Sequence, residues 1–335
     1  MKGFQIALLI VGIVLMLLGI AYLLCYRLVK KLFTSAFGRI SADAMKKNVE
    51  DFDQKINQSP LAHRHPMILE GRRWIADFPI EEVSTRSHDG LRLVASLFER
   101  PEDDSAAKDL PAYGKTLILF HGYHSSAPPD FRCACSYYYS IGFRLLLVDQ
   151  RAHGRSEGSH LTFGAKEQLD VLSWCRWTNE RYGADRDIVI TGISMGATTV
   201  LLAASRPELP SNVIGVIGDC GYADAESELS HVVRDFMHLP TFPLMNILRP
   251  MCRRRAGFDL SECSAERALA SIRIPAFFIH GEDDDFVPPE HTRRNAAACA
   301  SRHSEHFVKG AGHGLSYLVD PPHTQRLLRE FIESL

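Results

Sequence analysis

The sequence predicts an α/β protein with a mostly parallel central sheet and helices on both faces, preceded by one apolar helix. Two observations support this class. An uncharged apolar stretch opens the chain, and from residue 81 onward short apolar runs alternate with segments of helical length. Such alternation is typical of buried strands joined by crossover helices. The runs predicted to be strands are Glu82–Ser87, Leu91–Phe98, Thr116–Phe120, Arg144–Val148, Asp187–Thr191, Val213–Ile217, Ala276–Ile279 and His306–Val308.

The opening stretch, residues 3–26, is mostly Ile, Leu, Val, Gly and Met. As a helix it would be about 36 Å long, enough to cross a hydrocarbon core of about 30 Å. A cleaved signal peptide is the alternative. However, the stretch is longer than a typical signal core, and no small-x-small cleavage site follows it. We therefore predict a single uncleaved transmembrane anchor.

Basic residues indicate how this anchor is oriented. Lys2 precedes the apolar stretch, whereas Arg27, Lys30, Lys31 and Arg39 follow it. Because loops rich in Lys and Arg remain on the cytoplasmic side, the rest of the chain is predicted to lie in the cytoplasm. The eight cysteines lie mostly inside apolar segments and favour reduced packing residues over a disulfide framework.

Residues 27–80 are mixed and charged, with helical patterns around Ala42–Ile56 and Ile68–Ala76. We interpret them as a juxtamembrane stalk that packs on the domain formed by residues 81–335. In that domain His88-Asp89-Gly90 separates the first two predicted strands, and this turn sequence is typical of a hairpin.

One connection in the domain, about residues 222–272, is much longer than a simple crossover. A structureless loop of this length would be unusual in a compact domain. We predict a helical insertion over the carboxyl end of the sheet, acting as a lid that shapes the substrate pocket. The alternative is a solvated structural excursion with an apolar underside.

Directly after the strand Asp187–Thr191 the chain reads Gly192-Ile193-Ser194-Met195-Gly196, followed by a helical run of small residues. A Gly-x-Ser-x-Gly sequence between a strand and a helix is a nucleophile elbow. Its sharp turn lifts the serine oxygen off the end of the sheet, and its glycines permit close backbone approaches. Ser194 is the predicted nucleophile, and the Met195 N–H at the helix N-terminus is predicted to bind an oxyanion.

A serine nucleophile needs a base, and the base needs an acid that orients it. His313 is the predicted base, because it follows the last strand between small residues that let the ring approach Ser194. The acid is ambiguous from chemistry alone. Three consecutive aspartates, Asp283–Asp285, follow the strand Ala276–Ile279, and Asp219 lies at the end of another strand.

An oxyanion hole needs a second N–H near the end of the third strand. His121-Gly122-Tyr123-His124 follows Thr116–Phe120 at that point. The N–H of Tyr123 is the candidate, paired with that of Met195.

With these residues in place, the chain from about Glu81 to Leu335 resembles the α/β-hydrolase superfamily. It is most similar to the serine-aminopeptidase-like or Bem46-like esterase branch, many of whose bacterial members carry an N-terminal anchor. The resemblance implies that Asp284 is the acid and that His153 is structural. The matching motifs, in the family's order, are His121-Gly122, Asp149-x-Arg151-Ala152-His153-Gly154-x-Ser156, Gly192-x-Ser194-x-Gly196, His280-Gly281-x-x-Asp284-x-x-Val287-Pro288 and Gly312-His313-Gly314.

The chain departs from the family at one motif position, where Ala152 replaces a frequent glycine, a minor change. Residues 27–80 and 222–272 match no motif, so the choice of substrate is open. The expected function is a membrane-anchored serine hydrolase that cleaves a carboxylic ester, of a small molecule or a lipid, through an acyl-enzyme. A peptidase, thioesterase or acyltransferase would use the same residues. A non-catalytic binding protein on this fold is disfavoured because every motif is complete.

Other classes find little support in the sequence. There is no His-Glu-x-x-His and no P-loop ending in Gly-Lys-Ser/Thr, so no metal or organic cofactor is expected. The formal net charge of −2 offers no reason to expect a nucleic-acid partner.

Overall fold

The computed structural model describes residues 2–101 and 104–335. Eight strands form one sheet in the order β1-β2-β4-β3-β5-β6-β7-β8. β1 pairs antiparallel with β2, β2 pairs antiparallel with β4, and the remaining described pairs are parallel. The prediction of a mostly parallel sheet is confirmed. The strands are β1 (Glu81–Arg86), β2 (Arg92–Phe98), β3 (Thr116–Phe120), β4 (Arg144–Asp149), β5 (Ile188–Ile193), β6 (Val213–Asp219), β7 (Ala276–Gly281) and β8 (His303–Val308).

Helices cover both faces of the sheet. The described residues form α1 (Lys2–Phe37), α2 (Ala42–Asn57), α3 (His65–Asp77), α4 (Ala127–Ser140), α5 (Glu167–Tyr182), α6 (Met195–Ala204), α7 (Ala225–His231), α8 (Thr241–Met251), α9 (Ala265–Leu269), α10 (Glu290–Ala298), α11 (Ser316–Val319) and α12 (Pro321–Glu333). In β3, Leu117 and Leu119 pack with residues of α4 and α12, whereas Ile118 and Phe120 pack with residues of α5 and α6. This alternation places one buried layer on each side of the sheet.

α1 has two parts with different surroundings. Its large apolar side chains between Phe4 and Tyr26 are exposed, and the helix is long and apolar enough to cross a membrane. By contrast, Val29, Phe33 and Phe37 are buried against the rest of the protein. The apolar helix therefore continues past the predicted end of the anchor and docks on the domain without a break.

Within residues 27–80, α2 and α3 lie where helical patterns were predicted. α3 packs closely against α4, because a Cβ atom on Gly71 would lie 2.1 Å from the carbonyl oxygen of Arg132. Only glycine permits this approach. The indole of Trp74 stacks on Phe98 of β2, with ring centroids 5.7 Å apart. These contacts hold α3 on the same face of the sheet as α4.

The insertion between β6 and β7 is helical, as predicted. It contains α7, α8 and α9, with π-helical turns extending α7 and α8. Its apolar underside packs on the end of α1, where Leu244 and Leu248 share a buried cluster with Val29 and Phe33. The insertion therefore joins the end of the apolar helix to the domain.

Candidate active site

Ser194 lies at the turn between β5 and α6, with φ +56° and ψ −120°. Non-glycine residues rarely adopt this conformation, so it stores strain at the turn. The flanking glycines are required by close contacts. A Cβ atom on Gly192 would lie 2.2 Å from the carbonyl oxygen of Gly196, and one on Gly196 would lie 2.0 Å from that of Phe120. The turn thus holds the serine oxygen at the carboxyl end of the sheet.

The structure brings Ser194, His313 and Asp284 together in a chain of hydrogen bonds. The hydroxyl of Ser194 donates to Nε2 of His313 over 2.9 Å. Nδ1–H of His313 donates to Oδ2 of Asp284 over 2.7 Å. Ser194 and Asp284 are buried, whereas the imidazole remains partly accessible. This is the geometry in which a histidine base removes the proton of a serine.

The carboxylate of Asp284 is fixed by further contacts. Its Oδ1 accepts the N–H groups of Phe286 at 3.0 Å and Val287 at 2.9 Å, and its Oδ2 lies 3.1 Å from Nε2 of His280. Burial raises the pKa of this carboxyl, but the hydrogen bonds from His280 and His313 outweigh burial and hold the pKa well below its usual range. Asp284 therefore stays ionised and holds His313 in the Nδ1–H tautomer.

The other candidate acids lie in different surroundings. The carboxyl of Asp219 accepts a hydrogen bond from Ser316 over 3.0 Å, and burial raises its pKa to about 6. Asp283 and Asp285 are exposed to solvent. Of these four aspartates, Asp284 is the one that the described structure places in contact with His313.

Two backbone N–H groups next to Ser194 and in the loop after β3 are the candidates for binding an oxyanion. Met195 is the first residue of α6, so its N–H has no carbonyl partner within the helix. In the loop after β3, the N–H of Gly122 donates to Asp130 over 2.7 Å, which leaves the N–H of Tyr123 as the next donor. Tyr123 and Ser194 line the same cavity. This arrangement fits the predicted pair of donors.

The cavity beside Ser194 has a volume of about 370 Å³. Its floor is formed by the loop after β3, Ser194 and His313, and one wall is formed by α2 through Asn48, Val49 and Phe52. These residues recur at i and i+4 on one helix face, but no motif in residues 27–80 indicated that they lie over the site.

α2 is held in this place by polar contacts. The side-chain amide of Asn48 donates to the carbonyl of His124 over 3.1 Å. The carboxylate of Asp53 accepts a hydrogen bond from the buried Arg132 over 2.6 Å and another from Arg72. The segment predicted to be a stalk therefore borders the cavity at Ser194.

The insertion contributes to the pocket less directly than predicted. None of the described residues that line this cavity belongs to 222–272. Instead, Phe236 contacts Phe286 with ring centroids 5.5 Å apart, and Phe286 contacts the His313 ring at 5.0 Å. α2 forms this wall of the cavity, whereas the insertion supports one aromatic ring at its edge, and the role of the insertion as a lid stays a prediction.

The residues at the site fit hydrogen-bonded catalysis better than metal binding. Cys220, Asp284 and His313 place potential ligand atoms within 4.8 Å of one another. However, Asp284 and His313 are already bonded to each other, and burial raises the pKa of the Cys220 thiol well above its usual range. Since a metal needs the thiolate, this environment opposes coordination.

Comparison with known proteins shows which family the chain matches. Residues 117–325 match the Alpha/beta hydrolase family. The uncharacterized protein YqkD of Bacillus subtilis is 26% identical over 220 residues, which cover 66% of this chain and 72% of that protein. The uncharacterized membrane protein YNL320W of Saccharomyces cerevisiae is 25% identical over 174 residues, covering 51% of this chain and 54% of that protein. Caffeoylshikimate esterase of Arabidopsis thaliana is 30% identical over 139 residues, covering 39% of this chain and 41% of that protein.

Solved structures share the fold. The esterase PF2001 of Pyrococcus furiosus superposes with a TM-score of 0.59 at 23% identity, covering 78% of this chain and 93% of that chain. DcsB, solved with a substrate analogue, superposes with a TM-score of 0.56 at 16% identity, covering 76% of this chain and 98% of that chain. At these identities the likeness establishes architecture, while the chemistry must be argued from the site.

Proposed function

The chain belongs to the alpha/beta hydrolase family, and on that premise we propose that it is a serine hydrolase that cleaves carboxylic esters. One observation carries the proposal: the hydrogen bonds of 2.9 Å from Ser194 to His313 and of 2.7 Å from His313 to Asp284. These hydrogen bonds link a candidate nucleophile, base and acid in the sequence that the reaction needs, beside a cavity.

In the proposed reaction the Ser194 oxygen attacks the ester carbonyl while Nε2 of His313 takes its proton. The N–H groups of Met195 and Tyr123 stabilise the negative oxygen of the tetrahedral intermediate. His313 then passes the proton to the leaving alcohol, and an acyl-enzyme remains. Water, activated by His313, attacks the acyl-enzyme and releases the acid. Asp284 stabilises the imidazolium that forms in each half-reaction.

An ester is the preferred substrate class on two grounds. The Arabidopsis relative is named an esterase, and we carry that activity to this chain as part of the proposal. The cavity is bordered by the apolar side chains of Val49, Phe52, Ile193 and Phe286, which suit an acyl or aryl group.

A panel of soluble substrates tests this proposal. Full-length protein in detergent would be assayed with 4-nitrophenyl esters, matched 4-nitroanilides and acyl thioesters of equal chain length. We expect the esters to be turned over with a kcat/KM at least about 100-fold above that of the anilides, because an alcohol leaves more readily than an amine, and we expect Ser194→Ala to abolish this turnover. Preferential cleavage of the anilides or thioesters would contradict the ester assignment.

We also propose that α1 is a membrane anchor and that the catalytic domain lies in the cytoplasm. The exposed apolar side chains from Phe4 to Tyr26 and the basic residues Arg27, Lys30 and Lys31 that follow support this orientation. Fusion partners at the C-terminus provide the test. If the C-terminus is cytoplasmic, a green fluorescent protein fusion is expected to fluoresce and an alkaline phosphatase fusion to be inactive. A non-fluorescent first fusion together with an active phosphatase fusion would contradict this orientation.

A further inference from the structure

A short segment at the start of α8 exposes an unusual amount of apolar surface. Within this segment, which we term the 236–242 loop, Phe242 is 74% exposed, Phe236 is 45% exposed and Met237 is 36% exposed. Outside α1, the other large apolar side chains with comparable exposure in the described structure are well separated along the chain: Phe52 in α2, Leu69 in α3 and Ile80 just before β1. Concentrated apolar exposure of this kind marks an interaction surface.

The packing of α8 on α1 gives the position of this loop. Phe37, the last residue of α1, contacts Phe258 beyond the C-terminal end of α8, with ring centroids 6.0 Å apart. Cys25, at the other end of the docked part of α1, packs against the same buried cluster. From these contacts we infer that α8 runs back along α1, from the level of Phe37 toward that of Tyr26.

Lengths along the two helices agree with this placement. The backbone of α8 is non-helical at Phe242, so its regular part, residues 243–251, spans about 13 Å at 1.5 Å per residue. Val29 and Phe37 lie eight residues apart in the continuous helix α1 (37 − 29 = 8), or about 12 Å. This match places the 236–242 loop near the level of Val29, just beyond the exposed apolar part of α1.

The charges around this level suit a membrane surface. Arg27, Lys30 and Lys31 are exposed and lie together on one face of α1, immediately after its apolar part. Basic side chains at the end of a membrane span lie among lipid headgroups, and aromatic side chains at the same level enter the interface. Exposed phenylalanines close to these basic side chains are typical of a segment that lies in the membrane interface.

We propose that the 236–242 loop inserts into the lipid–water interface of the bilayer that α1 spans, and that the ester substrate enters from this lipid. This inference rests on the proposed anchor and esterase activity. The inner side of the loop reaches the catalytic residues, because Phe236 contacts Phe286 at 5.5 Å and Phe286 contacts His313 at 5.0 Å. A row of aromatic side chains therefore links the loop to the edge of the cavity at Ser194, and this apolar surface suits a lipid-borne acyl ester.

Quenching by brominated lipids tests the contact with the bilayer. Full-length Phe242→Trp would be reconstituted into phosphatidylcholine–phosphatidylglycerol vesicles containing acyl-brominated lipid. Ile80→Trp, at a position 40% exposed just before β1, is the matched control. Because Trp74, Trp174 and Trp177 are present in both variants, the informative quantity is the difference in quenching. We expect the Phe242→Trp variant to lose a clearly larger fraction of its emission, and equal quenching of the two variants would overturn the proposal.

This measurement requires no turnover, so it remains readable if the esterase proposal fails. Flotation of the vesicles separately reports whether the anchor is inserted.

A second experiment tests the substrate route. The double variant Met237→Ser/Phe242→Ser is expected to cleave a long-chain ester embedded in vesicles about tenfold more slowly, the loss expected when apolar side chains no longer enter the interface. Cleavage of a soluble acetate ester should stay within about twofold of the parent protein, because neither residue lines the cavity. Equal changes for both substrates, or no change for either, would contradict entry from the lipid.

Discussion

Asp284 is the residue on which the orientation of the base depends. Its carboxylate makes hydrogen bonds with His313, His280, Phe286 and Val287. In the Asp284→Asn variant the side chain carries no charge, and its amide no longer enforces the Nδ1–H tautomer of His313. We expect kcat for a soluble ester to fall by about 10³- to 10⁴-fold with little change in KM.

The neighbouring aspartates provide matched controls for this prediction. Asp285→Asn changes an exposed side chain in the same loop and should leave kcat within about twofold. Asp219→Asn changes a buried carboxyl that contacts Ser316, and should cost much less activity than Asp284→Asn. A larger loss in either control than in Asp284→Asn would show that the acid has been misassigned.

Glu228 in α7 is a buried carboxyl in a poorly compensated environment. Neither of its oxygens has a hydrogen-bond partner among the described residues, and Nε2 of His291, whose pKa burial lowers to about 4, lies 3.4 Å away. Burial, reinforced by the charges of Asp284 and Asp224, raises the pKa of Glu228 to about 8. The folded protein therefore favours the neutral form.

This shift predicts a pH-dependent stability. Because the folded pKa of Glu228 lies above its unfolded value near 4.3, its stabilising contribution is complete below about pH 4.3 and is lost as the pH rises through about 8. Glu228→Gln stays neutral, so its Tm relative to that of the parent should rise by several degrees between pH 5 and pH 9. Thermal unfolding at pH 5, 7 and 9 measures this difference.

Glu226→Gln, at a partly exposed position on the same helix, is the control and should show a difference in Tm that does not vary with pH. If the difference in Tm between Glu228→Gln and the parent also stayed constant with pH, the raised pKa of Glu228 would be refuted.

At the level of single residues, the local sequence was sufficient to predict a site residue where a motif defines a backbone turn. Ser194 and His313 follow strands and have small neighbours, and these features are visible in the chain itself. Chemistry alone could not choose among Asp283–Asp285, because the three side chains are the same. The choice of Asp284 came from the resemblance of His280-Gly281-x-x-Asp284 to the family's motif, and in the folded loop this carboxylate lies against His280.

α2 is the element that distinguishes this cavity from the pocket expected on sequence grounds. Val49 and Phe52 lie on its inner face, and Asn48 and Asp53 hold the helix on the domain. Val49→Phe adds bulk inside a cavity of about 370 Å³ and is expected to raise KM for long-chain esters about tenfold. Values of kcat for acetate esters should change by less than about twofold, because the small acyl group still fits.

Lys47→Phe introduces the same side chain at an exposed position of α2 and serves as the control. Steady-state kinetics across an acyl-chain series gives KM and kcat for both variants. If Val49→Phe left the chain-length profile unchanged, α2 would not be a wall of the substrate pocket.

The strands could be predicted because each buried strand is a short apolar run. The prediction for β3 matches at both ends, since all five of its residues are buried. β8 begins at His303 rather than His306, because its first residues are polar and lie on the edge strand, where the apolar signal is weak. The position of α2 could not be predicted, since it depends on contacts such as that of Asp53 with Arg132, which are distant in sequence.

On the scale of the whole molecule, the apolar helix and the proposed catalytic residues lie at the same end of the sheet. Ser194 lies at the carboxyl end of β5, and the insertion follows the carboxyl end of β6. The insertion in turn packs on residues 29–37 of α1, which continue without a break from the apolar part of that helix. The cavity is therefore held at a fixed position relative to the proposed anchor.

The central claim is that Ser194 is the nucleophile of a serine hydrolase. A fluorophosphonate probe forms a covalent bond with a serine that a neighbouring base activates. Labelling of full-length protein, followed by peptide mass spectrometry, is expected to find the probe on Ser194. Labelling should persist in Ser205→Ala, at the end of α6, and disappear in Ser194→Ala at an unchanged Tm. A folded parent protein that is not labelled, or a Ser194→Ala variant that still is, would contradict the account.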